Sequence, residues 1–382
     1  MRLNRAALLL IGAGLLLVAD RARAAVKDLR DATFAAVGDG AVDDSPALAR
    51  ALAVMKPGDT LLVPPGVYRI VLTADPLRIP AGVTLWGQIG KSKFILHSAG
   101  GKGDHREFLH LGSGATLDGI TIERGGEFPA VLLPLFGDAS AVTLRNCTIV
   151  GNASRFGGYC HAIQVGVGTL KNLVLDGVRI TDCTYGLFQQ NDATGTVDGV
   201  TVARSFFERN TASDLEFNSP RGTMRNVVVR DCLFRDNQCR SGSAGFAVGF
   251  ANVQGGRVED CDMRGYGSEA LHVEDRSSDI RLSGNTIIGA SRVQPNGVIL
   301  VISGSTSVHV ERNVVDARTN ENGPHLVLVT AGGKELANPS DVSVTGNILV
   351  NGRATRTWYV QPGSGGEPTG NVVVPAGAAP SK

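Results

Sequence analysis

The chain has almost no surplus of charge. Its 37 basic and 36 acidic side chains leave a formal net charge of +1 over 382 residues. That balance excludes the basic footprint of a nucleic-acid binder. Aromatic residues are only 5% of the chain, against 49 glycines, a mixture that suits tight turns between short strands and not a helical bundle. Past residue 24 no segment reaches 18 apolar residues, so no membrane helix is expected in the mature chain. The phosphate-binding glycine loop, the Cys/His spacing of a zinc site and the elbow of a serine nucleophile are all missing.

What the chain does have is a ladder. A pattern apolar–x–x–(Cys/Asn/Ser/Val/Ile)–x–apolar recurs between residues 117 and 349. Its fourth position is Ile120, Cys147, Val178, Ser205, Cys232, Cys261, Asn285, Asn313 and Asn347, at spacings of 27, 31, 27, 27, 29, 24, 28 and 34. Each unit carries a second short apolar strand, such as 163–165 or 271–273. A unit this small cannot bury its own apolar face and must stack on its neighbours. The pattern predicts an all-β solenoid. The ladder cysteines occupy positions that Asn and Ser fill elsewhere, so they read as buried rungs and not as a disulfide framework; Cys160, Cys183 and Cys239 lie off the ladder.

The ends read differently. Arg2 and Arg5, the apolar run 6–18 and Ala22-Arg23-Ala24 have the form of an export signal over residues 1–24, which implies a soluble, secreted or periplasmic mature protein. Residues 25–80 read as an N-terminal cap and first coil. Ser45 is placed as N-cap and residues 47–56 as a short amphipathic helix with Leu48, Ala51, Leu52 and Met55 on one side, stopped by Pro57-Gly58. Such a helix would cover the open edge of the first coil. Coils fill 81–350, and 351–382 reads as a C-terminal cap and loose tail.

Phe34-Ala35-Ala36-Val37-Gly38-Asp39-Gly40, Asp43-Asp44-Ser45 and Val63-Pro64-Pro65-Gly66-Val67-Tyr68 closely resemble the N-terminal signature of the pectate lyase superfamily. The resemblance implies a right-handed parallel β-helix with three strands per coil, usually acting on polysaccharide, as a monomer or a homotrimer. Asp39, Asp43 and Asp44 within the signature read as turn formers. The motif sets of polygalacturonases and of mannuronan epimerases are absent.

Strand alternation then sorts side chains into core and surface. Alignment on the apolar pairs Ile163/Val165, Leu187/Gln189, Leu215/Phe217, Phe246/Val248, Leu271/Val273, Val298/Leu300 and Leu326/Leu328 leaves an outward polar cluster. Asp214, Glu216 and Asn218 sit on one strand, and His272 and Glu274 two coils on, with Gly245, Ala247 and Gly249 as a bare floor between them. Coils about 4.8 Å apart put Glu216 and His272 roughly 9–10 Å apart at the backbone. Glu216, Asp214, His272 and Glu274 are the expected catalytic groups, since crowded carboxylates split into an acid and a base. Gln164, Gln190, Asn218 and Phe188 are expected to touch substrate, and Arg221 and Arg276 to grip a substrate carboxylate. Asp214, Glu216 and Glu274 also form an oxygen set suited to Ca²⁺. The Asp-x-Glu-x-Asn strand followed by Arg221 is loosely similar to calcium-dependent alginate lyases and chondroitinase B, where a Lys takes the place of Arg221. His161 is read as a loop or core residue, and His97, His105, His110 and His309 show no constellation. The expected activity is cleavage of glycosidic bonds in an acidic polysaccharide, by elimination or by hydrolysis. The alternative is a glycan-binding or surface-structural β-helix without catalysis, against which stands the single outward aromatic, Phe188.

Overall fold

The computed structural model describes residues 24–189, 194–240, 244–294, 296–320, 324–333, 336–352 and 356–375; most of the expected export signal and Gln190 fall outside them. The chain winds as a parallel β-helix with three long faces. Two sheets have thirteen strands each, running from Val26–Asp28 to Ser340–Thr345 and from Asp39–Asp43 to Val372–Val374. The third has ten, from Arg106–Glu107 to Arg356–Val360. Pairings in all three are parallel, as between Thr196–Ala203 and Thr223–Arg230. The coils therefore continue past residue 350: Arg356–Val360 and Val372–Val374 extend the third and second sheets.

The ladder sits at the corner between the first and second sheets. The residue before each rung has a positive φ: Asn146 (53°), Asp231 (55°), Gly284 (68°) and Gly346 (65°), but also Arg204 (49°) and Arg312 (55°). A left-handed residue turns the chain there, which explains why Gly, Asn and Asp recur at that place. From Asn285 onward the rungs are amides. Asn285 donates from N and Nδ2 to Asn313 Oδ1 (3.0 Å each), Asn313 likewise to Asn347 Oδ1 (2.9 and 3.1 Å), and Asn347 to Asn371 Oδ1 (2.8 and 2.9 Å). Asn371 is a further rung that the pattern search did not reach. Toward the N-terminus thiols take over, with Cys261 N donating to Asn285 Oδ1 at 3.0 Å. All six cysteines are free and buried. Asn313→Ala would strip Asn285 of the acceptor for two buried donors; the expected loss is about 1–3 kcal/mol, measurable as a lower urea midpoint. An unchanged midpoint would show the amide column to be dispensable.

At the N-terminal end, helix Ser45–Ala53 buries Ala47, Leu48, Ala51 and Leu52 and packs on strands Gly66–Leu72 and Leu77–Ile79. Its N-cap is Asp44 and not Ser45. The Asp44 carboxylate accepts from Val37 N (2.7 Å) and Gly38 N (3.1 Å), and Asp39 accepts from Ala41 N and Val42 N. The signature aspartates thus tie turns, as expected. Among the described residues no helix is long and apolar enough to cross a membrane.

Candidate functional site

The third sheet departs from strict alternation. In several coils two consecutive side chains point inward at the start of the strand: Ala162 and Ile163, Ala247 and Val248, Ala270 and Leu271, Val298 and Ile299, Leu326 and Val327 all lie in the hydrophobic core. The strand bends where the loop delivers it, and the bend resets the alternation. Two corrections follow.

Asp214 is sealed inside, with no exposed surface. It occupies the first of the two inward positions, ahead of Leu215. Asn210 Nδ2 donates to its Oδ1 at 2.6 Å and the buried Tyr266 hydroxyl donates to its Oδ2. Burial pushes its carboxyl up to about 7, against the pull of those hydrogen bonds. It is a core group and not part of the surface cluster.

The outward columns also shift. Glu216 aligns with Gly249 and then His272, and Asn218 with Ala251 and then Glu274. Ala247 is core, not floor. Phe246, expected in the core, instead lays its ring over Gly249, where an added Cβ would meet Cδ2 of Phe246 at 3.0 Å. Beyond His272 the outward residues are Leu300, Leu328 and Tyr359, while Ile299, Val301, Val327 and Val329 turn inward.

Glu216, His272 and Glu274 do share one face. His272 is 8% exposed. Its Nε2 lies 3.6 Å from Glu274 Oε2 and its Nδ1 3.9 Å from Glu269 Oε1, and Phe246 stacks on its ring at 4.4 Å. Burial alone would lower the imidazole pKa. Glu274, Glu269 and Glu216 outweigh it and hold His272 above its ordinary value. Glu216 is pushed up, first by burial and then by Glu274; Ser213, His272 and Asn218 offset part of this. Glu216 Oε2 is buried and has no hydrogen-bond partner among the described residues. Glu269 is fixed by Asn296 Nδ2 at 2.8 Å and by the Ser268 hydroxyl.

Toward the N-terminus the same face becomes aromatic. Tyr185 stacks on Phe188 at 4.5 Å, and His161 contacts Tyr159, Phe188 and Tyr185 at 4.9, 5.1 and 5.2 Å. His161 Nδ1 also meets Gln164 Oε1 at 2.7 Å. Burial lowers the pKa of His161 and raises that of Tyr185, with the Glu216 charge adding to the rise. Phe188 and Gln164 therefore reach the site, but Phe188 is one of several outward aromatics. Arg221 and Arg276 are exposed in the segments that follow the strands of Glu216 and Glu274. Among the described residues no group of three or more His, Cys, Asp and Glu side chains is arranged to hold a metal ion, and the Asp214–Glu216–Glu274 set fails because Asp214 faces the core.

Glu269, Tyr185, Phe246 and His161 escaped the sequence reading. Their signal was the apolar doublet repeated in several coils, which marks the bend; the residue just before each doublet faces outward.

A family model described as a right handed beta helix region matches residues 161–349. No curated protein sequence matches the chain. Among solved structures, the Geobacillus virus E2 ORF18 protein superposes with a TM-score of 0.57 at 12% identity, covering 91% of this chain. This chain spans 60% of the length of that viral protein. The A-module of Azotobacter vinelandii mannuronan C-5 epimerase AlgE6 gives 0.54 at 17% identity, covering 93% of this chain and all of that one. The Streptococcus pneumoniae surface protein and adhesin PfbA gives 0.55 at 14%, covering 91% of this chain and all of that one. At these identities the likeness is one of fold.

Proposed function

From the premise that this chain is a right-handed parallel β-helix of the pectate-lyase-like fold, we propose that it hydrolyses glycosidic bonds in a polysaccharide laid along its third sheet. The observation that carries the reading is Glu216: a half-buried carboxyl with a raised pKa and an unpartnered oxygen, beside a buried His272 and next to an aromatic bed.

Glu216 is the proton donor to the leaving oxygen, because a carboxyl that keeps its proton to higher pH is the better acid near neutrality. Glu274 is the base that activates water, with His272 Nε2 3.6 Å from its Oε2. Glu216 and Glu274 sit two coils apart, which suits the wider carboxyl separation of about 6.5–9.5 Å found in inverting enzymes. The flat faces of Tyr185 and Phe188 seat sugar rings. Elimination is the weaker candidate. It needs a cation against a uronate carboxylate, and Arg221 and Arg276 are both exposed in the segments beyond the strands that carry Glu216 and Glu274.

Digestion of a panel of polysaccharides tests this. New reducing ends without ultraviolet absorbance from an unsaturated sugar are expected; strong absorbance would replace hydrolysis with elimination. The rate should fall as pH rises through the raised pKa of Glu216, since the acid is then spent, and fall at low pH as Glu274 protonates. A second reading, glycan binding without cleavage, is favoured by the same aromatic bed, and retention of polymer with no new ends would establish it. Export, read from residues 1–24, would place the protein where such polymers are met.

A further inference from the structure

The N-terminal end of the same face carries a second polar cluster. Arg78 pairs with His110 between strands Leu77–Ile79 and Leu109–Leu111. An Arg78 guanidinium N–H donates to His110 Nδ1 at 3.2 Å, so His110 carries its proton on Nε2 and donates it to Glu107 Oε2 at 2.6 Å. Glu107 Oε1 lies 3.6 Å from His105 Nε2, and His105 Nδ1 meets the Tyr159 hydroxyl at 2.8 Å. His105 and His110, which show no pattern in sequence, are thus joined through Glu107.

This chain of contacts reaches the exposed Arg78 through one hydrogen bond, with His110. His110 is nearly buried, and Glu107 sets which of its nitrogens can accept. The remaining guanidinium donors have no protein partner among the described residues, and Arg78 lines a cleft together with His110, Pro134 and Phe136. Asp138, the carboxylate on its rim, is turned to Thr169 N at 2.8 Å. An unspent guanidinium fork beside an aromatic wall is suited to a planar carboxylate on a ring.

We infer that Arg78, positioned by His110 and Glu107, is a distal subsite that recognises a uronate carboxylate on the polysaccharide. The inference rests on the proposed function, because it places this subsite and Glu216 on one bound chain. His110 and Glu216 lie four coils apart, about 19 Å, and Arg78 lies one coil further, about 24 Å. A sugar unit is about as long as one coil spacing, so Arg78 reads a unit four or five residues from the cleaved bond. The carboxylate-rich cleavage end then takes a sugar without regard to its acid group, and the acidic character of the substrate is read at the far end.

Calorimetry on the Glu216→Gln protein tests this. The probes are hexamers of galacturonate, mannuronate or glucuronate, each compared with its carboxyl-reduced form. At least one acidic hexamer should bind about tenfold more tightly than its reduced form. Adding Arg78→Gln should abolish that preference, and Arg78→Lys should restore little of it, because the fork is lost. Thermal melting checks that the variants are folded. An acidic preference that survives Arg78→Gln, or reduced hexamers binding as well as acidic ones, overturns the distal subsite and leaves the proposed hydrolase standing. Failure of every hexamer to bind overturns both.

Discussion

Glu216→Gln is expected to lower kcat by about 10³-fold or more while leaving the fold and oligosaccharide binding in place. General acid catalysis supplies about 10²–10⁴-fold, and loss of the assigned proton donor lies at the upper end. Asp214 cannot substitute, because Tyr266 and Asn210 hold it in the core. Glu269 cannot either, since Asn296 and Ser268 occupy its carboxylate and its exposure is 1%. The Gln side chain is isosteric, so thermal melting should change little, and the alkaline limb of the pH profile should disappear with the acid. Wild-type turnover in this variant would move the chemistry to another residue. His272→Ala is the companion measurement. Loss of the imidazolium leaves Glu274 against two other carboxylates, so the acid limb should shift to higher pH as Glu274 becomes harder to ionise.

The second large effect concerns Arg124, a fully buried cation with no ion-pair partner among the described residues. It ends strand Ile120–Arg124 and spends its guanidinium on backbone carbonyls: Gly151 at 2.6 Å, Phe128 at 2.7 Å, Gly157 at 3.1 Å, Asn152 at 3.2 Å and Phe156 at 3.5 Å. Four of those carbonyls, of Gly151, Asn152, Phe156 and Gly157, belong to the segment that delivers strand Cys160–Val165, with Tyr159 just before it and His161 within it, and that of Phe128 precedes strand Ala130–Leu135. Arg124→Met would take the guanidinium donors from the buried Gly151 and Phe128 carbonyls, at a cost of about 1–3 kcal/mol for each. Arg124→Lys should recover little, because a single ammonium cannot span acceptors that a planar fork reaches. Urea unfolding measures the loss. Hydrogen exchange over residues 151–159 should show where it falls, and KM should rise as the aromatic bed loosens. A variant within about 0.5 kcal/mol of wild type, the usual range for surface changes, would show the carbonyls to be satisfied by other means.

The two expectations bear on different parts of what the chain spells out locally. The coil repeat was legible because a rung is a steric demand: the corner needs a left-handed residue and then a small or amide side chain in a narrow column. Asn285, Asn313 and Asn347 therefore announce themselves at near-constant spacing, and Asn371 would have been found with a looser template. Glu216, His272 and Glu274 were also legible, since alternation holds in the straight part of each strand. Asp214 was misread because alternation was carried back through a bend. Phe246 was misread because an aromatic residue near a strand was assumed to point inward, while its ring in fact roofs Gly249, three residues on in the same coil.

By itself, the sequence determined that this chain stacks coils, which edges of the coils are amide and thiol columns, and where the first coil is covered. These are short-range demands of backbone geometry and burial, repeated until they become visible. Only the tertiary structure decided which carboxylate reaches the surface and which is locked inside, and that Glu107, His110, Tyr159 and His161 line the same face as Glu216. The reason is geometric: the direction of a side chain at a bend depends on how the preceding loop packs, and neighbours across coils are set by stacking register, neither of which is written in any single stretch of residues.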